Sequence, residues 1–166
     1  ERLGLKAASM GTLGVRTADE VLTPPGLTTP DAADVARLMS ELAGMGVTQV
    51  ALEASSHGID QRRLDGVQLT AAGFTNFTQD HLDYHGDMES YRAAKLRLFD
   101  QLLPRGRTAV LNADSDGYGA FSAAAIVNGQ TLFSVGERGQ ALALVSRTLS
   151  GDGQKLTVLA EGRRHK

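Results

Sequence analysis

The sequence predicts an α/β fold, a mainly parallel sheet flanked by helices, with a β-rich C-terminal portion. Three observations predict it. Short apolar runs alternate with helix-length amphipathic segments over about residues 1–125. Glycine and proline, 19 and 4 in number, punctuate the junctions between them. From about residue 126 the helical segments stop, and strand-like runs follow one another through turns.

In chain order, Ala7 to Val15 is a short apolar run with glycines. Thr23 to Thr29 holds Pro24, Pro25 and Gly26, which mark a loop. Thr29 or Asp31 is placed to cap a helix, with Pro30 acceptable in a first turn. That helix carries Ala33, Val35, Ala36, Leu38, Met39 and Leu42 and ends at Gly44 or Gly46. Val47 to Leu52 and Leu69 to Phe74 read as buried strands. Met88 to Leu103 is the clearest helix, stopped by Pro104 and Gly106. Thr108 to Asn112 is a third buried strand and Asp114 to Ala125 a further helix. Thr131 to Val135, Ala141 to Leu149 and Lys155 to Leu159 then read as strands, joined by turns such as Gly151-Asp152-Gly153.

With 42% hydrophobic and 22% charged residues, the chain can form a globular core. Its formal net charge of -2 gives no basic footprint for nucleic acid. No apolar run is long enough to span a membrane, and Glu1 to Lys6 lack the pattern of a signal peptide. Cys is absent, which rules out a disulfide framework and fits a reducing cytoplasm. The chain begins at Glu1 and stops at Lys166 directly after a strand-like run, so it reads as a fragment of a longer protein.

In open α/β sheets ligands gather at the carboxyl ends of strands. Three polar clusters lie at such ends: Glu53-Ala-Ser55-Ser56-His57-Gly58, the long run from Thr75 to Gly86, and Asn112-Ala113-Asp114. Loop solvation and helix capping account for any one of them alone. The density of imidazole and carboxylate in the second cluster is harder to account for in that way. Glu53, an acceptor-only oxygen donor, suits a hard cation. His81 suits a metal ligand or a donor to phosphate, and equally a satisfied loop histidine. His57 and His85 read as loop histidines.

Lys95 is the most informative single residue. At about 100° per residue, Met88, Tyr91, Phe99 and Leu102 form one stripe, and Lys95 falls within it. Glu89, Ala93, Arg97 and Asp100 fall on the other side. Two readings stay open. Lys95 snorkels past the apolar edge, or it is held neutral and available for chemistry. A neutral amine adds CO2 to give a carbamate, an anionic oxygen ligand suited to Mg2+.

The motifs Glu53-Ala54-Ser55-Ser56-His57-Gly58, Thr75-Asn76-Phe77-Thr78-Gln79-Asp80-His81-Leu82-Asp83-Tyr84-His85-Gly86 and Tyr91-Arg92-Ala93-Ala94-Lys95 closely resemble the central domain of Mur ligases. The Asp-His-Leu-Asp-Tyr-His-Gly and Ser-Ser-His-Gly runs resemble the MurE type. Weaker similarity covers about residues 8–120. The resemblance implies a P-loop-like ATPase fold and a cytoplasmic ligase of peptidoglycan synthesis that uses ATP and Mg2+. Such a ligase joins a free amino acid, the third of the stem, to UDP-N-acetylmuramoyl-L-Ala-D-Glu through an acyl phosphate. It implies neither a nucleic-acid nor a membrane partner.

Residue by residue, the resemblance implies that Glu53 holds the Mg2+ bridging the ATP phosphates. Lys95, as a carbamate, would hold a second Mg2+, assisted by His81. Thr28, Thr29, Ser55, Gln61 and Arg63 match contacts to the UDP-muramoyl substrate. Asn112 matches a residue near the adenine. Turn and cap chemistry accounts equally well for Thr28, Thr29 and Asn112.

The chain also departs from the family pattern. No Gly-Lys-Thr or Gly-Lys-Ser phosphate loop occurs in it, and Lys6 in Leu5-Lys6-Ala7 does not fit one. That loop is expected upstream of Glu1. The family's N-terminal uridine-binding and C-terminal domains are absent too, so the isolated chain is expected to be inactive. A relative such as folylpolyglutamate synthetase is a second enzyme reading, although the Ser-Ser-His-Gly and Asp-Tyr-His-Gly runs argue against it. A non-catalytic binding module is the third.

Overall fold

The computed structural model describes residues 4–80, 82–151 and 153–166. His81 and the turn residue Asp152 therefore lie outside the described residues. The chain divides into two compact units, Glu1–Val67 with Asp83–Arg97, and Gln68–Leu82 with Leu98–Lys166.

In the first unit, the run read as one apolar segment is a hairpin. Strand β1 (Ala7–Gly11) pairs antiparallel with β2 (Gly14–Thr17), Gly11 opposite Gly14. The loop through Pro24 leads into helix α1 (Ala32–Gly44). Asp31 occupies its N-cap but makes no side-chain cap bond, and Gly46 follows at φ 79°. Val35, Leu38 and Leu42 recur at helical spacing and are buried, whereas Ala33 and Ala36 are exposed. Strand β3 (Gln49–Leu52) pairs parallel with β1. It is not the buried strand that its composition predicts. Among the described residues β1 is its only partner, and its residues are alternately exposed and half-buried. Two short helices, α2 (Ser56–Asp60) and α3 (Leu82–His85), occupy stretches read as loop. Helix α4 (Met88–Arg97) carries Lys95. Met10, Val15, Val35, Leu38, Leu42, Ile59 and Leu64 form the core of this unit.

The predicted helix from Met88 to Leu103 is thus shorter, and Leu98–Leu102 forms a π-helical turn closed by Leu103 N–H donating to Leu98 O. Arg97 is the last residue of α4. Its side chain is only 12% exposed, because Nη2 holds both oxygens of Asp65 at 2.7 and 2.6 Å and Nη1 donates to Ile59 O at 2.7 Å.

The second unit is a six-stranded sheet in the order β4 (Ala71–Phe74), β5 (Thr108–Asn112), β6 (Thr131–Gly136), β7 (Leu142–Ser150), β8 (Gly153–Ala160), β9 (Arg163–His165). Pairing is parallel from β4 to β7 and antiparallel thereafter. The α/β portion and the β-rich C-terminal portion both emerge as expected, with β9 a further strand beyond Lys155 to Leu159. Helix α5 (Tyr118–Val127) starts later than Asp114, whose carboxylate is engaged elsewhere. Phe121 anchors the core, stacked on Phe74 with centroids 3.9 Å apart and edge-on to Phe99 at 5.7 Å. Gln130, 7% exposed, donates from Nε2 to Phe99 O and Leu103 O, carbonyls of the π turn and its end.

Candidate functional site

The first unit gathers most of the predicted site residues onto one hydrogen-bonded network at the carboxyl end of β3. Glu53 follows β3 directly and is fixed by its N–H to Met10 O at 2.9 Å. Its carboxylate accepts from Thr12 N at 3.1 Å and from Thr12 Oγ1 at 2.9 Å. Thr12, at the tip of the β1–β2 hairpin, also shares a hydrogen bond of 3.0 Å with Thr28 Oγ1. The adjoining glycine matters here, because a Cβ on Gly11 would overlap the Glu53 carboxylate. A shallow cleft of about 230 Å3 opens beside Glu53, lined by Ser9, Met10, Gly11, Arg16 and Leu52 among others.

Thr29 is the junction of the network. It is 1% exposed. Its hydroxyl donates to Glu53 O at 2.8 Å and accepts from Ser55 N at 2.9 Å and Ser55 Oγ at 3.0 Å. Ser55 in turn caps α2, accepting from Gly58 N at 3.1 Å. A Cβ at Gly58 would come within 2.6 Å of Thr29 Cβ, so only glycine lets α2 lie this close. The hydroxyl of Thr29 is therefore committed to holding the loop that carries Glu53 and Ser55.

From Thr29 the network runs on to Arg63 and Gln61. Arg63 is 16% exposed at its side chain and donates from Nη1 to Thr29 O at 2.7 Å. Its Nη2 donates to Gln61 Oε1, and its Nε lies 3.5 Å from Asp31 Oδ1. Gln61 Nε2 donates to the Tyr84 hydroxyl at 3.1 Å, and that hydroxyl donates to Asp60 Oδ2 at 2.9 Å.

Lys95 lies on α4. It is half-buried, one turn beyond the buried Tyr91, with Nζ 4.8 Å from the Tyr91 ring centroid. Tyr91 belongs to a cluster of rings. His85 lies 5.2 Å from it and 4.8 Å from Tyr84, and His57 lies 4.0 Å from Tyr84. His85 Nε2 is 3.0 Å from Ser56 Oγ. His57 and His85, read from sequence as loop histidines, are thus packed members of this cluster.

His81 lies outside the described residues. Asn112 belongs to the second unit, where Nδ2 donates to Thr75 O at 2.7 Å and Oδ1 accepts from Asp114 N at 3.0 Å. Asp114 accepts from Glu137 N at 2.6 Å and Arg138 N at 2.9 Å, and these bonds hold its carboxyl below the usual carboxylate range. Among the described residues no group of three or more His, Cys, Asp or Glu side chains gathers as a metal-binding set, and no helix is long and apolar enough to cross a membrane.

Sequence reasoning missed Thr12, Asp60 and Tyr84. Thr12 had one weak signal, its place between Gly11 and the Leu13-Gly14 pair. Tyr84 lay in a recognised motif without an assigned role.

The sequence profile of the Mur ligase middle domain matches residues 2–166. A UDP-N-acetylmuramoyl-L-alanyl-D-glutamate–2,6-diaminopimelate ligase of Caulobacter vibrioides is 68% identical over 166 residues, covering 97% of this chain and 34% of the relative. Its counterpart in Bradyrhizobium diazoefficiens is 45% identical over 169 residues, covering 99% and 35%. The chain thus spans about a third of the length of the curated relatives it matches. A solved structure of such a diaminopimelate ligase superposes with a TM-score of 0.86 at 28% identity, covering 99% of this chain and 33% of that one. A solved FPGS–AMPPCP complex matches at a TM-score of 0.67 and 16% identity over 97% of this chain and 46% of that one, a likeness of fold alone.

Proposed function

Because the chain belongs to the Mur ligase family, as its middle domain, we propose that it is the ATP-using part of a MurE-type ligase. That ligase adds 2,6-diaminopimelate to UDP-N-acetylmuramoyl-L-Ala-D-Glu in peptidoglycan synthesis. The names of its relatives support diaminopimelate as the added residue. The reaction class is carboxylate activation by ATP, giving an acyl phosphate that the incoming amine attacks with release of phosphate.

One observation carries the reading. Thr28, Glu53, Thr29, Ser55, Arg63 and Gln61, singled out by resemblance as metal and substrate contacts, are joined through Thr12 into one continuous hydrogen-bonded network. A hard cation such as Mg2+ suits Glu53. Glu53 offers hard carboxylate oxygens, and the missing Cβ of Gly11 leaves them room. Glu53 would hold one ion, and Lys95, as its carbamate, would hold a second with His81. Bound there, Mg2+ would screen the repulsion between the substrate carboxylate and the ATP phosphates.

The chain's own residues do the positioning. Thr12 orients the Glu53 carboxylate. Thr29 holds Glu53 and Ser55 in fixed relation. Arg63 and Gln61 offer donors to the anionic muramoyl substrate.

The full-length ligase, given ATP, Mg2+ and UDP-N-acetylmuramoyl-L-Ala-D-Glu, is expected to release phosphate with meso-diaminopimelate and not with L-lysine. Release with lysine alone would overturn the acceptor assignment. Release with neither, from folded protein that binds nucleotide, would overturn the ligase reading in favour of a relative or a binding module.

A further inference from the structure

The bonds around Gln61 all run one way. Arg63 Nη2 donates to Gln61 Oε1, Gln61 Nε2 donates to the Tyr84 hydroxyl, and that hydroxyl donates to Asp60 Oδ2. A carboxylate can only accept, so Asp60 fixes the direction of the Tyr84 O–H. A hydroxyl whose proton is spent on Asp60 can only accept from Gln61, and this sets which way the amide faces. The amide oxygen must then meet Arg63. Asp60 thus sets the polarity of a chain that ends at a guanidinium.

That polarity decides what the pair presents. Arg63 has five N–H groups. One on Nη1 is spent on Thr29 O, one on Nη2 on Gln61 Oε1, and Nε faces Asp31. What remains on Arg63 is one N–H on each Nη. Gln61 keeps the second N–H of its amide. The surface offered by both residues is made of donors, suited to an oxygen acceptor. A flipped Gln61 would instead turn an N–H against the guanidinium and lose that bond.

We propose that Tyr84 and Asp60 are positioning residues, which hold Gln61 and Arg63 as a donor pair for an oxygen acceptor of the UDP-muramoyl substrate. This rests on the ligase reading above, in which Gln61 and Arg63 contact that substrate. Neither Tyr84 nor Asp60 touches the reacting atoms. Tyr84 is 40% exposed, so water competes for its hydroxyl and the effect is moderate.

The test uses the full-length ligase, with phosphate release as readout and each substrate varied in turn. Tyr84→Phe, which keeps the ring packed on His57 and His85, is expected to raise the KM for UDP-N-acetylmuramoyl-L-Ala-D-Glu about threefold to tenfold. The kcat and the KM for ATP should stay within about twofold. Asp60→Asn should act in the same direction, because an amide in that place can donate to Tyr84 as well as accept from it. In a Gln61→Ala background, Tyr84→Phe should have no further effect, since its influence passes through Gln61. A Tyr84→Phe penalty that persists undiminished in that background would overturn the proposal, as would an unchanged KM in Tyr84→Phe. If Arg63→Ala raises the KM while Tyr84→Phe does not, the inference fails and the ligase reading stands. If the wild-type enzyme releases no phosphate with any acceptor, the ligase reading itself fails.

Discussion

Replacing Thr29 with Val separates a structural from a ligand-contacting role for this threonine. Valine keeps the shape and removes the hydroxyl. In the folded protein this leaves Glu53 O without its 2.8 Å donor and Ser55 N without its 2.9 Å acceptor. Thr29 is 1% exposed, and the groups around it are partly screened from water. At about 1 kcal/mol for each unpaired, part-buried group, the loss is about 2 kcal/mol. With a urea slope near 2 kcal/mol per M, the midpoint should fall by about 1 M. Hydrogen exchange provides a local readout, since the Ser55 amide should lose protection while amides in the core of α1 keep theirs. The KM for the muramoyl substrate should rise as a consequence, because Glu53 and Ser55 lose their mutual register. A Thr29→Val protein with an unchanged midpoint, unchanged Ser55 protection and weakened substrate binding would refute this reasoning. Thr29 would then be a direct ligand contact.

The remaining predictions concern separate parts of the chain. Lys95→Ala should abolish ligation by the full-length enzyme without rescue by bicarbonate, and near-normal turnover would remove Lys95 from the mechanism. Arg97→Met should destabilise the fold by about 1–2 kcal/mol, because Ile59 O loses a part-buried donor and the partly exposed Asp65 loses its ion pair, and a urea midpoint within error of wild type would contradict that. Asp114 binds its proton more weakly in the folded protein than in the unfolded one, so its contribution is present above about pH 4 and disappears as pH falls through its lowered folded value. The stability difference between wild type and Asp114→Asn should accordingly shrink on acidification below pH 4. A difference that stays constant down to pH 2 would contradict this assignment.

Local chemistry made some of this legible and long-range pairing hid the rest. Helix α1 could be read because Val35, Leu38 and Leu42 repeat at helical spacing between a capping position and a glycine. Strand β3 reads as buried because Val50, Ala51 and Leu52 are apolar, yet among the described residues it has one neighbour, a number that composition does not report. The near-burial of Arg97 could not be read locally, because its partner Asp65 lies 32 residues away. In the candidate site, Glu53 and Lys95 were visible from residue chemistry and position. Gln61 and Arg63 came from resemblance only, since nothing about a lone Gln and Arg sets them apart. Asp60 and Tyr84, 24 residues apart, meet only when α2 and α3 form.

The π-helical turn at Leu98–Leu102 gives the second unit one residue of slack. Such a turn accommodates one residue more than an α-helix would over the same stretch. Losing Asp100 or Gln101 would let the turn revert to α-helical bonding, with Leu103, 3% exposed in the core, kept close to its present face. The cost would fall on the spacing of Phe99 O and Leu103 O, which the single amide of Gln130 binds together. Substitutions at these two exposed positions should be well tolerated, and a one-residue deletion should be absorbed by the turn at the expense of those two bonds. In comparisons among relatives, single-residue differences in length are expected to fall within this turn.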